Sequence, residues 1–178
     1  VDRLTGGIAV PETWFFRYSE SFRVLGEFLS RRLQSGAGWL RMMSVGCASG
    51  EEPYSMAMTA LHAGWEPGAI TIEALDRSQD VLRRAGSGEY GAFSVRTEVP
   101  AWALAYLHRA GDSIVVDPGV RSLVRFVRAD VVQPGALAGV GPCDVIFCRN
   151  VLIYLGAEAR VRLLDAVCAA LAPGGLLF

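Results

Sequence analysis

Leu40-Arg41-Met42-Met43-Ser44-Val45-Gly46-Cys47-Ala48-Ser49-Gly50-Glu51-Glu52-Pro53-Tyr54 is the stretch that decides the fold class. Residues 40–45 form a short apolar run that stops at Gly46. After Gly50, residues 51–62 carry Met56, Met58, Ala60 and Leu61 at helical spacing. The order is therefore strand, glycine turn, helix.

Working outward, the same alternation recurs. Residues 69–75 read as a second strand ending at Asp76, and residues 78–84 begin a short helix. Residues 123–127 and 144–148 read as further strands, and residues 157–171 as a periodic helix closed by Pro173-Gly174-Gly175. Upstream, Phe22, Leu25, Phe28, Leu29 and Leu33 give residues 19–33 a helical period, with Ser19 or Ser21 available as cap. Strands alternating with helices predict an α/β fold, a mostly parallel sheet with helices on both faces. Its ligand crevice lies at the carboxyl ends of the strands. Between Gly88 and Leu123 about thirty-five residues intervene where such a unit needs only a few, so something is inserted there. Within it, residues 102–107 suggest a helical turn, and residues 114–116 and 120–124 could pair around Asp117-Pro118-Gly119.

Composition narrows the function classes. A chain of 178 residues, 52% hydrophobic and 20% charged, suits one globular domain and excludes a disordered chain. Seventeen basic residues, all Arg, against eighteen acidic ones leave a net charge of −1, which disfavours nucleic acid as partner. Cys47, Cys143, Cys148 and Cys168 form no CxxC pair, so reduced cytosolic thiols are expected rather than a zinc site or disulfides. With no long apolar run and no leader, a soluble cytoplasmic protein without membrane insertion is expected. The chain starts at Val1 and stops inside what reads as a fresh strand, so both ends look cut.

The turn at residues 46–50 departs from the dinucleotide GxGxxG and from the Walker lysine pattern, and on its own could be purely structural. Glu51 and Glu52 follow it. Two carboxylates there would repel a phosphate and suit a cationic ligand such as S-adenosylmethionine, although acids also favour a helix N-terminus. Asp76, ending the second strand, is placed to accept from ribose hydroxyls, and Asp130, after the third, from an adenine amino group. Either could instead be an ordinary loop acid. Trp14, Phe15 and Phe16 read as packing residues, Cys148 as an inert strand thiol, and His62 and His108 as helix residues without catalytic partners.

Four segments in order resemble the CheR-type chemotaxis receptor methyltransferases: Thr13-Trp14-Phe15-Phe16-Arg17, residues 46–55, Ala74-Leu75-Asp76 and residues 143–154, the last reading CDVIFCRNVLIY. The resemblance spans residues 10–178. It implies a Rossmann-like class I fold dependent on S-adenosylmethionine, with S-adenosylhomocysteine as product, and a small inserted β-subdomain at about residues 91–123. By the same resemblance Thr13, Arg17, Gly46, Cys47, Gly50, Glu52 and Asp76 contact the cofactor, Asp130 and Val131 flank adenine, and Arg149 and Asn150 lie under it. Arg17 and Tyr154 would border the transferred methyl. The family more often shows Asn at Pro11, Asn at Asp130 and Asp at Ser78, which puts affinity in question at Pro11 in particular.

The implied partner is a methyl-accepting chemoreceptor or related signalling protein, esterified on glutamate by a monomeric enzyme. The short loop Ala110-Gly111-Asp112-Ser113 leads us to expect independence from a receptor tail peptide. The family's helical amino-terminal domain and its last strands are expected to be missing from this chain. Two other readings stay open: a methyltransferase of nucleic acid or a small molecule, and a silent module that binds the cofactor. Arg149-Asn150-Val151-Leu152 stands where amino-methylating DNA enzymes carry Pro-Pro and an aromatic, which argues against the first.

Overall fold

The computed structural model describes residues 13–137 and 139–178. In chain order the elements are α1 (Ser19–Gln34), β1 (Leu40–Val45), α2 (Glu51–His62), β2 (Ile70–Asp76), α3 (Gln79–Ser87), β3 (Glu89–Gly91), β4 (Leu107–Ala110), β5 (Ser113–Val116), α4 (Pro118–Arg121), β6 (Val124–Arg128), β7 (Cys143–Phe147), α5 (Ala157–Ala170) and β8 (Leu171–Leu177). Short 3-10 turns occupy Ala92–Ser94, Ala101–Tyr106 and Leu152–Tyr154.

Five strands form one sheet in the order β6-β2-β1-β7-β8, and every pairing in it is parallel. Alternation along the strands sorts their side chains onto two faces. Met42, Ile72, Val145 and Phe147 join Phe22, Leu25, Leu29, Met56 and Met58 in one core beneath α1 and α2. Met43, Val45, Leu75 and Ile146 join Leu163 and Val167 of α5 in the other. A strand covered on both faces must be apolar throughout, and β7 is buried at every position. The strand order reverses between β1 and β7, so the crevice of a doubly wound sheet opens above their carboxyl ends.

The segment between α3 and β6 builds a second sheet of three antiparallel strands in the order β3-β5-β4. Here the expected hairpin is corrected. Residues 114–116 do not pair with residues 120–124 but with β4 and β3, and Val124 belongs to the central sheet. Asp117-Pro118 starts a helical turn: the Asp117 carboxylate accepts from Gly119 N at 2.7 Å, and Pro118 takes the first helical position. Pro173-Gly174-Gly175 also differs from expectation. The helix ends at Ala170, and the three residues lie within β8, where its register against β7 shifts between Cys143 and Val145. His108 sits on β4 rather than a helix and pairs with Asp117 at 3.1 Å.

Candidate functional site

Three backbone reversals build the site. At the first, Gly46 and Cys47 both donate their N–H to Leu75 O, at 2.8 and 2.9 Å, locking the turn after β1 to the end of β2. Gly46 has φ +72, and a Cβ there would run into Val151, so both its conformation and its clearance demand glycine. Ala48 follows in the left-handed region with φ 47. Its N–H donates to Asp76 Oδ2 at 3.1 Å while Asp76 Oδ1 accepts from Ser78 N at 2.9 Å. Asp76 therefore ties the two loops together with one oxygen each.

The second reversal follows β7. Asn150 is left-handed, with φ 61, and Arg149 before it turns inward to Glu52 in the first turn of α2. Arg149 Nε and Nη2 both lie 3.0 Å from Glu52 Oε2, and Ser44 Oγ donates to Glu52 Oε1 at 2.7 Å. Arg149 Nη2 also donates to Arg17 O at 3.1 Å. Burial raises the Glu52 carboxyl above its ordinary range, against the opposing pull of Arg149.

The third reversal precedes α1, where Phe16 and Tyr18, on either side of Arg17, are both left-handed with φ 58 and 62. Phe15 and Phe16 are buried in the core, as packing residues should be. Trp14 is not: it lines the cavity, its ring between the guanidiniums of Arg96 at 3.9 Å and Arg17 at 4.7 Å.

Above these loops lies a cavity of about 960 Å³. Thr13, Arg17, Gly46, Cys47, Glu52, Asp76, Asp130, Val131, Arg149, Asn150 and Tyr154 all line it. Gly50 does not. It caps α2 with φ +95, and a Cβ there would meet Ala85, Tyr90 and Phe126 at 2.9–3.1 Å, so its glycine answers to packing. Glu51 also departs from expectation. It is 2% exposed and turned away from the cavity, accepting from Ser49 Oγ at 2.7 Å and Ser94 Oγ at 3.0 Å, and burial pushes its carboxyl up. One carboxylate of that pair faces the cavity, and it already carries Arg149. Pro11 lies outside the described residues. Val81, Ile153 and Leu155 line the cavity without having been anticipated. Ile153 beside Tyr154 could have been suspected from an apolar pair ending the last motif.

The cavity suits a zwitterionic nucleoside. Its size falls within the range of small-ligand sites. Trp14 Nε1 and Arg149 Nη1 are buried donors with no hydrogen-bond partner among the described residues, and a ligand carboxylate would satisfy them. Asp76 and Asp130 supply acceptors for hydroxyl and amino groups. Burial, with the Asp76 and Glu52 charges, holds Cys47 as a thiol, its pKa far above the ordinary value. Among the described residues no cluster of three or more His, Cys, Asp or Glu could hold a metal ion, and no helix is long and apolar enough to cross a membrane.

Sequence comparison agrees with this geometry. The chain is 38% identical over 180 residues to a probable biofilm formation methyltransferase, WspC, of Pseudomonas aeruginosa, covering 100% of this chain and 43% of that protein. It is 36% identical to the WspC of Pseudomonas putida, over 98% of this chain and 42% of the relative. Chemotaxis protein methyltransferase 1 of Pseudomonas aeruginosa is 34% identical, over 99% of this chain and 67% of the relative. The chain thus spans less than half of either WspC relative. Residues 11–178 match the family described as CheR methyltransferase, SAM binding domain. With the motif-bearing loops gathered around one cavity and the match extending over nearly its whole length, this chain belongs to the CheR methyltransferase family, as its S-adenosylmethionine-binding domain.

Proposed function

We propose that this domain methylates glutamate carboxylates of a chemoreceptor or similar signalling protein, giving glutamate methyl esters. The observation that carries the reading is that Arg17 shares one cavity wall system with Asp76 and Asp130. A cation suited to a carboxylate thus faces acceptors suited to a nucleoside. S-adenosylmethionine, when bound, supplies a methyl on a positively charged sulfur. Asp76 would hold the ribose hydroxyls with lone pairs left over from its two backbone bonds. Asp130 and Val131 would flank adenine, while Trp14 Nε1 and Arg149 Nη1 would take the amino-acid carboxylate. Thr13, Gly46, Cys47 and Asn150 complete the lining.

The acceptor needs no general base, because a glutamate side chain with a pKa of about 4.3 is ionised at neutral pH. What the chain must provide is alignment and exclusion of water. Arg17 orients the acceptor carboxylate through its planar fork. Tyr154, 70% exposed at the cavity, holds the opposite side with its hydroxyl. The inserted subdomain, about residues 91–123, would work without a receptor tail peptide, a reading supported by the two-residue turn at Gly111-Asp112 between β4 and β5. The near balance of charge supports a protein rather than a nucleic-acid partner, and a cytoplasmic monomer is the form this reading assumes.

Incubation with methyl-tritiated S-adenosylmethionine and receptor-containing membranes tests the reading. Base-labile label on receptor glutamates is expected. Label that resists base would indicate an amine acceptor, and no label would sink the enzymatic reading. Arg17→Lys should cut turnover and leave the fold intact.

A further inference from the structure

Packing does not explain the conformation of Tyr18. It is half exposed, makes no side-chain bond as the N-cap of α1, and holds a left-handed backbone (φ 62, ψ 63) that bulky residues rarely adopt. What surrounds it belongs to the cavity wall. Its ring lies 5.0 Å from the Arg17 guanidinium and 5.2 Å from that of Arg149, both of which line the cavity. Arg17 Nη2 donates to its hydroxyl oxygen at 3.3 Å.

A phenol oxygen offers two lone pairs and one proton. With Arg17 on one lone pair, the hydroxyl proton of this half-exposed side chain is left for another acceptor. We propose that the Tyr18 hydroxyl is a recognition group for the acceptor carboxylate, working beside Arg17 as the second of two donors at fixed spacing. This rests on the reading that the acceptor is a glutamate. A carboxylate presents two acceptor oxygens to such a pair, whereas a glutamine carboxamide presents one acceptor and one donor, so the pair selects Glu over Gln. The neighbouring Asn150 side chain first, and then the Arg17 charge, hold the Tyr18 hydroxyl below the ordinary tyrosine value, which makes it a stronger donor.

The test uses the full-length protein with S-adenosylhomocysteine added. Calorimetry measures binding of a helical peptide carrying one Glu and of its Gln counterpart. Tyr18→Phe keeps the ring between the two guanidiniums and removes only the hydroxyl. The wild type should prefer the Glu peptide, and Tyr18→Phe should cut that preference about tenfold to a hundredfold, the weight of one hydrogen bond to a charged group. Affinity for S-adenosylhomocysteine and the melting temperature should not change. A Tyr18→Phe protein with the wild-type preference overturns the proposal while leaving the glutamate reading intact. A wild type that binds both peptides equally and methylates neither overturns both.

Discussion

Replacing Arg149 by Met should be the most costly single change at the site, and for a reason that can be isolated. Both contacts from Arg149 to Glu52, the Nε hydrogen bond and the Nη2 ion pair, end on Oε2, so the substitution leaves that oxygen without a donor while Ser44 still serves Oε1. The two side chains are only 12% and 16% exposed, so little water can step in. Breaking a buried pair by removing one partner costs about 3–5 kcal/mol, chiefly through the stranded charge. Arg149→Met should lose that much in urea unfolding at pH 7. Glu52→Gln combined with Arg149→Met removes the stranded charge and should recover all but about 1–2 kcal/mol, giving a strongly non-additive cycle. In the single variant Glu52 keeps a folded pKa raised above its unfolded value. The stability tied to that proton is fully present below about pH 4.3 and lost as pH rises through the folded pKa. The deficit against wild type should therefore shrink on acidification. Additive costs, or an Arg149→Met deficit independent of pH, would refute the claim that the stranded carboxylate dominates.

Gly50→Ala forces a Cβ to within 2.9–3.1 Å of Ala85, Tyr90 and Phe126 in a left-handed backbone, and should cost about 2–4 kcal/mol in thermal or urea unfolding. A loss under 1 kcal/mol would mean that the turn relaxes freely. Glu51→Gln should stabilise the protein at pH 7, raising Tm by about 2–4 °C for each kcal/mol of desolvation removed at this chain length. Burial raises the folded pKa of Glu51, so wild type regains that stability below about pH 4.3, and the two melting curves should converge there. Asp76→Asn is not conservative here, because both carboxylate oxygens accept backbone N–H groups and an amide NH2 would face one of them. It should lose about 1.5–3 kcal/mol and the hydrogen-exchange protection of Ala48 N–H or Ser78 N–H; full protection of both would disprove the bridging role.

Much of the framework was legible because one segment determines it. The apolar run of residues 40–45 ends where Gly46 begins the turn, and Gly50 stands immediately before Glu51, so β1 and α2 follow from short-range chemistry alone. Asp117-Pro118-Gly119 misled because the same residues serve a hairpin turn and a helix start. The choice fell to β3, a three-residue strand whose pairing with β5 is long range and leaves no local mark. Glu51 and Glu52 are alike as sequence, yet one faces Ser94 and the other Arg149, partners 43 and 97 residues away. Eleven of the twelve site residues taken from the motifs line the cavity, and Gly50 does not. A motif marks residues required together without saying which touch a ligand and which merely let the loop turn.

Backbone strain distinguishes these roles better than residue type does. The four non-glycine residues with positive φ among those described are Phe16, Tyr18, Ala48 and Asn150, and each lies at the cavity or beside a residue that lines it. At about 1–2 kcal/mol apiece, their combined cost is comparable to the net stability of a typical domain. Such conformations persist only where the surroundings over-determine them. Here Asp76 holds Ala48, the Arg149 bonds to Glu52 and Arg17 O span the loops around Asn150 and Tyr18, and Ser55 Oγ accepts from Phe16 N at 3.0 Å. The polar network and the strain therefore form one device. The network keeps the loops in a shape they would otherwise leave, and that shape is what turns Arg17, Asn150 and Tyr154 toward a common space.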